Sequence, residues 1–289
     1  MSANALGQFQ RVDEKGWRRG LGNLLQGEYS AWFRSSRWWK QLILWIVIIN
    51  GMMGMMIYAT FDAAKSGQEG PPLLFMYSLF GGMFVAFGVM IIMQRVLVAE
   101  KNTGTAAWVL SKPVTRTAFV ISRLVVNSIA ILLTSVIVPG VIFYITLGLF
   151  SNFGWLSPLG FAAGLLMILL HSFYWIALVL MMGTLTESSA TVIAVPIALY
   201  FFFWMGPDLL PGLLYVSPLL LTFSPEPDQM NPLSVSFMAG EPVFSWLPLI
   251  MTVIFSIIFV AVAIRRFNRQ RFSFKRDLWR NHQIIGKGV

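Results

Sequence analysis

The sequence predicts an all-α polytopic membrane protein with six transmembrane helices, and two observations support this fold class. The chain of 289 residues is 57% hydrophobic but only 11% charged, whereas a soluble domain is about 25% charged. Its apolar residues also fall in long runs with no alternation of polar and apolar positions, which excludes transmembrane β-strands. Helices are then the spanning structure that satisfies every backbone hydrogen bond in lipid.

Six runs are long enough to span a membrane, which takes about 20 mostly apolar residues. They divide the chain into a cytoplasmic N-terminal region over 1–40, a transmembrane domain over 41–264 and a basic tail over 265–289. The predicted spans are 41–60, 73–94, 123–148, 159–182, 189–206 and 246–264.

The positions of Lys and Arg predict the orientation of these spans. With six spans, all of the 21 basic residues except Lys65 fall on one side of the membrane, and an excess of basic residues marks the cytoplasmic side. Both termini are therefore predicted to be cytoplasmic, in a multi-pass protein of the cell inner membrane. This confinement also explains the net charge of +9 through contact with anionic lipids, without a nucleic-acid partner.

An amphipathic helix is predicted just before the first span. Apolar residues recur at helical spacing within 16–40, and charged residues occupy most of the remaining surface. Such a helix lies in the membrane interface, either as an anchor or as a lever that a partner contacts. The charged set is Arg18, Arg19, Glu28, Arg34 and Arg37.

The sequence offers little catalytic chemistry. It contains no cysteine, which excludes disulfides, thiolate metal sites and cysteine nucleophiles. It also lacks the G-x-x-x-x-G-K-[ST] phosphate loop, so no catalytic residue, metal or bound cofactor is predicted. His171 and Asn50 lie within spans, where each could either bond a neighbouring helix or contact a substrate.

Two further segments have open interpretations. Methionines surround a glycine pair in the first span, at Met52, Met53, Met55 and Met56; they indicate helix packing, an apolar substrate path or, more remotely, a Cu(I) path. The segment 206–245 holds seven of the 14 prolines. It is predicted to form short helices that dip into the outer leaflet or cap a cavity, or else simply pack on the outer helix ends.

The polar loop between the second and third spans is the most informative stretch. Thr103 or Thr105 can cap a short helix, and Pro113 ends it. Its apolar residues Trp108 and Leu110 would be exposed on the cytoplasmic side, which suits a knob that enters a groove on a soluble partner. A loop that touches only lipid is the alternative.

The residues of this loop resemble a known family signature. Glu100, Gly104-Thr105, Leu110 and Pro113-Val114-Thr115-Arg116 are similar to the "E…GT…L…PVSR" pattern after the second span of type-2 ATP-binding-cassette (ABC) permeases. The N-terminal LLQGEYSAWFRSSRWW resembles the opening of the same family.

The resemblance implies a role for each element. The helix over 18–38, with Glu28, Trp32, Arg34 and Arg37, would be the family's connecting helix. Residues 100–112 would be the coupling helix on a separate P-loop ATPase, which binds ATP and Mg²⁺, and Glu187 would make a smaller contact. A second permease copy would complete the transporter.

The function expected from these features is that of the permease subunit of an ATP-driven exporter. Its cargo is expected to be apolar or amphipathic, such as a drug, lipid, peptide or glycolipid. The alternatives are a transporter or channel without an ATPase, a membrane-embedded lipid-modifying enzyme, and a scaffold that only holds an ATPase at the membrane.

Overall fold

A computed structural model describes residues 15–65, 72–151, 154–225 and 230–270. Within these residues the chain is helical and contains no strand. An amphipathic helix, Leu21–Phe33, precedes the membrane domain. Six helices are long and apolar enough to span a membrane, which confirms the predicted number: Arg37–Lys65, Leu73–Asn102, Arg116–Phe150, Pro158–Leu185, Ser189–Asp208 and Leu247–Arg269. The predicted basic tail from residue 271 onward lies outside the described residues.

The fourth span is the axis of the bundle. About 61% of its most apolar window is buried, compared with 22% for the first and sixth spans. It packs against the second, third, fifth and sixth spans, and its Trp175 is fully buried in a cluster with Tyr174 and Tyr200. The first and sixth spans therefore present most of their surface to the surroundings of the chain.

The first and third spans each contain a π turn, which the sequence analysis did not predict. These turns cover Ile46–Asn50 and Leu133–Ile137. In the third span the π turn directly precedes Pro139. A proline ring clashes with the carbonyl four residues earlier in a regular α-helix, and a widened turn relieves that clash. The two spans pack against each other through these turns.

The predicted helix over 18–38 is divided in the structure. The amphipathic helix ends at Phe33, where Arg34 is the C-cap residue, and Arg37 begins the first span. At its start, Gly20 has a φ of +79° and lies directly against Val114. A residue with a Cβ would be strained at this φ and would collide with Val114. Gly20 thus fixes the entry of the amphipathic helix next to the loop between the second and third spans.

The proline-rich segment, residues 206–245, is partly buried among the spans and partly exposed at the end of the bundle. Its described part forms three short 3₁₀ turns and the helix Leu233–Ala239. The turn Pro218–Leu221 is buried, and the helix packs closely on the fourth span because a Cβ on Gly164 would meet Met238 and the carbonyl of Ser234. The predicted short helices are therefore present, and part of the segment packs among the spans.

Neutral hydrogen bonds hold this segment in place. His171 Nδ1 is 2.9 Å from the carbonyl oxygen of Pro218, and Trp175 Nε1 donates to His171 Nε2 over 3.1 Å. Because Nε2 accepts, Nδ1 carries the proton and donates to Pro218. Ser78 Oγ donates to the carbonyl of Thr222 over 2.7 Å. Both ring nitrogens of His171 are thus occupied within the fold, which supports its structural interpretation.

Replacing His171 with Leu should destabilise the chain. The substitution leaves the Pro218 carbonyl and the Trp175 indole N–H buried without partners, at a cost of about 1–3 kcal/mol each. The measurement is thermal unfolding of the purified protein, with Phe173→Leu on the same helix as the apolar control. A variant of normal stability would contradict this structural role of His171.

Candidate functional site: a charged clasp and the knob it holds

The predicted coupling helix over 100–112 is two short helices rather than one. The first covers Val98–Asn102 and the second Thr105–Leu110. Gly104 separates them with a φ of +75°, a left-handed conformation that glycine adopts without strain. We call residues 98–112 the knob segment. Its corner at Gly104 turns the second helix away from the axis of the second span.

Arg123, the first residue of the predicted third span, is the centre of this region. Arg123 is 5% exposed. Its Nη1 lies 2.7 Å from Glu28 of the amphipathic helix, and its Nη2 lies 2.7 Å from Glu100 of the knob segment. Arg123 Nε also donates to Glu100 at 3.1 Å, so the pair is bidentate. We call this triad the clasp, and it joins three separate elements.

A second contact lies one helical turn beyond the clasp. Trp32 Nε1 donates to Asn127 Oδ1 over 2.8 Å, and Asn127 Nδ2 donates to the carbonyl of Arg123 over 2.7 Å. Trp32 is four residues after Glu28, and Asn127 is four residues after Arg123, so each pair shares a helix face. The amphipathic helix is thus bound to the third span at two successive helical turns, by the salt bridge between Glu28 and Arg123 and by the hydrogen bond between Trp32 and Asn127.

The knob segment is also tied to the loop between the fourth and fifth spans. Lys101 Nζ donates to the carbonyl of Thr186 over 2.6 Å, and Asn102 Nδ2 donates to the carbonyl of Glu187 over 3.2 Å. The side chain of Glu187 itself is exposed. The knob segment and the loop between the fourth and fifth spans therefore form one surface.

The sixth span ends at the same place. Arg116 donates to the carbonyl of Asn268, and Asn268 Nδ2 donates to Thr117 Oγ1 over 3.2 Å. We call this end of the bundle the basic end, because the Lys and Arg residues of the described chain concentrate here. The sixth span is thus hydrogen-bonded to the start of the third span at the basic end.

Between these attachments the second helix of the knob segment presents an aromatic residue. Trp108 is 56% exposed, and Lys112 Nζ lies 5.2 Å from its ring centroid. Ala106 is fully buried beneath it, whereas Leu110 is half-buried, so the expected exposure is found for Trp108 only. Thr105 and Pro113 are exposed on either side. The exposed part of the knob segment is therefore the indole ring of Trp108 with the ammonium group of Lys112 beside it. The preceding helix of the segment is held in place by the contacts of Glu100, Lys101 and Asn102.

The remaining predicted residues do not converge on one site. The four methionines point in different directions: Met53 is 1% exposed, Met55 is 72% exposed, and Met52 and Met56 are intermediate. Arg34 and Arg37 are exposed near the junction of the amphipathic helix and the first span. No group of three His, Asp or Glu residues in the described part of the chain could hold a metal ion.

Removing Arg123 should be the most damaging single change at the basic end. Arg123→Leu leaves Glu28 and Glu100 facing each other without a cation, and breaking a buried ion pair costs about 3–5 kcal/mol. The loss should lie at the lower end, because the two carboxylate side chains keep about a fifth of their area exposed. The measurement is the thermal unfolding midpoint. The control is the triple variant Arg123→Leu, Glu28→Gln, Glu100→Gln, which should recover much of the loss because no unpaired charge remains.

Burial makes Glu28 a source of pH dependence. Desolvation raises the pKa of its carboxyl above 4.5, against the opposing charge of Arg123. A carboxyl with a raised folded-state pKa binds its proton more tightly when folded. Its contribution to stability is full below the unfolded pKa and is lost as the pH rises through the folded pKa. Glu28→Gln should therefore weaken the fall in stability from pH 4.5 upward; unfolding curves that stay parallel to those of the unaltered chain would contradict this.

Comparison with known proteins agrees with this architecture. The family model described as "ABC-2 family transporter protein" matches residues 23–272, which includes the amphipathic helix, all six spans and the clasp. A search of curated proteins found no match. Because the model matches most of the chain, this protein belongs to the ABC-2 transporter family, as a multi-pass membrane protein of the permease type.

Proposed function

We propose that this chain is the transmembrane permease subunit of an ATP-driven exporter, coupled to a separate P-loop ATPase that binds the knob segment. The observation that carries the proposal is the combination at Trp108: an exposed indole on a short helix whose base is fixed from two sides. Tryptophan is the residue type most enriched among those that dominate protein interfaces. An exposed tryptophan that only contacted lipid would not need this anchoring.

The clasp suits the transmission of force. A push on Trp108 reaches Glu100 within the same segment, and Glu100 shares Arg123 with Glu28. Displacement of the knob thus moves the third span and the amphipathic helix together. Small shifts are passed on in this way when the linked elements behave as rigid bodies. The chain itself lacks a phosphate loop, so ATP and Mg²⁺ belong to the partner in this proposal.

Orientation, pairing and cargo complete the proposal. The basic end faces the cytoplasm by the positive-inside rule, which places the protein in the cytoplasmic membrane with the knob accessible to a soluble ATPase. A second copy of the chain pairs with the first through the largely unburied outer spans. The cargo is apolar or amphipathic, because no Asp, Glu or Lys lies in the central turns of any span to bind an ion.

The alternatives find less support in the geometry. A lipid-modifying enzyme needs a reactive cluster, and His171, the titratable imidazole within a span, is occupied on both nitrogens by the fold. A channel or transporter without an ATPase has no use for the anchored knob. A scaffold that only holds an ATPase would use the knob but would move no cargo, so it is separated by measuring transport.

Site-specific crosslinking tests the position of the ATPase. The chain contains no cysteine, so Ser111→Cys, exposed beside Trp108, is a unique thiol. A bismaleimide should join it to the co-expressed ATPase in membranes. Leu209→Cys, 83% exposed at the opposite end, is the control and should not crosslink. Equal crosslinking at both positions would remove the proposed docking site.

Trp108→Asp should separate ATP hydrolysis from transport. Loss of an interface tryptophan costs about 2 kcal/mol or more, which corresponds to roughly thirty-fold weaker docking. The measurements are ATPase activity and cargo movement in proteoliposomes that contain both subunits. Leu209→Asp is the control, because it places the same charge at another exposed apolar position away from the knob segment. Normal coupling in the Trp108 variant would contradict the assignment of the knob.

A further inference from the structure

The first span carries a row of buried polar atoms that have no partner among the described residues. They are Gln41 Oε1, Trp45 Nε1 and both side-chain polar atoms of Asn50. A polar atom left unpaired inside a membrane costs several kcal/mol, so spans normally satisfy such groups. Four such atoms on one span, of six in the whole described chain, therefore require a physical explanation.

The π turn brings these residues toward one face of the helix. Gln41 and Trp45 are four residues apart in an α-helical stretch, which places them on the same side. Asn50 follows Trp45 by five residues, a spacing that would direct it to another side of a regular α-helix. The intervening turn Ile46–Asn50 is a π-helix, in which hydrogen bonds join residues i and i+5. Asn50 thus lies roughly one turn above Trp45, and the three residues form a polar row.

This row faces the interior of the chain. Trp45 is 4% exposed, and its ring lies directly where a Cβ on Gly88 of the second span would sit. The stretch that carries Gln41 and Trp45 packs on the π turn of the third span, and the π turn that ends at Asn50 packs on the same span beyond it. The polar atoms of the row are therefore buried where the first span packs on the second and third spans, while the side chains of Gln41 and Asn50 are partly exposed elsewhere.

We propose that Gln41, Trp45 and Asn50 form an intramembrane binding site for a small uncharged hydrogen-bonding group, namely water or the hydroxyl of a lipid headgroup. The site offers a donor at Trp45, an acceptor at Gln41, and both at Asn50. A bound hydroxyl can donate and accept at once, so it satisfies this set. The absence of a formal charge in the row argues against an ion. This site goes beyond the proposed coupling to an ATPase and does not depend on it.

The sign of a stability change tests whether the amide of Asn50 has a partner. If a hydroxyl group occupies the site, Asn50→Leu removes real hydrogen bonds, and the thermal midpoint of the purified chain in lipid nanodiscs falls by about 2–4 °C. If the site is empty, the same change removes two unpaired polar atoms and the midpoint rises, which overturns the proposal. Met53→Leu, at a buried apolar position of the same span, is the volume-conserving control and should change the midpoint little.

Thiol labelling identifies the source of the group. In the cysteine-free chain, Asn50→Cys should react with aminoethyl methanethiosulfonate about tenfold faster than Val47→Cys, because the reactive thiolate forms only where water or polar groups solvate it. Val47 is 64% exposed on the lipid-facing side. Equal rates in phosphatidylcholine and phosphatidylglycerol nanodiscs indicate water, whereas protection by phosphatidylglycerol indicates its headgroup hydroxyls. Failure of Asn50→Cys to react in either lipid, with the protein folded, overturns the site.

Discussion

The pairing of Arg123 with two carboxylates is the interaction on which the basic end of this protein depends. A buried guanidinium needs compensation for its lost hydration, and here that compensation comes from two elements far apart in sequence. Glu28 precedes the first span, and Glu100 lies at the end of the second. Arg123 therefore joins the amphipathic helix and the end of the second span to the third span.

The clasp links three elements of the chain through the side chain of one residue, Arg123. With one arginine and two carboxylates, the triad carries a net negative charge, which desolvation penalises at Glu28. The hydrogen bond between the uncharged side chains of Trp32 and Asn127 adds a second point of attachment without adding charge. Together the Glu28–Arg123 salt bridge and the Trp32–Asn127 hydrogen bond restrict sliding and rotation of the amphipathic helix on the third span. The amphipathic helix and the third span are therefore expected to move together as one rigid body.

The sequence was sufficient to predict the spans but not the contacts among them. Hydropathy and length identify six helices because each span satisfies its own backbone hydrogen bonds, a local property. The knob could be located because Gly104 and Pro113 act locally on the backbone. Arg123 was assigned only to the boundary of a span, since its partners lie 23 and 95 positions away in sequence. Nothing local reports those pairings. The two π turns were missed for a related reason, because hydropathy does not depend on whether a turn contains four or five residues.

The distribution of burial indicates which parts of the bundle can move. The fourth span, about 61% buried, is held by polar bonds to the proline-rich segment through His171 and packs on most other spans. The first span is only 22% buried and contains a π turn whose backbone can rearrange at less cost than that of a regular α-helix. It is joined to the amphipathic helix by the short exposed stretch between Phe33 and Arg37. Because the clasp fixes the amphipathic helix to the third span, a displacement that begins at the knob reaches the first span through this stretch. The first span is therefore the outer helix that the clasp reaches through the amphipathic helix, whereas the fourth span is fixed at the centre of the bundle.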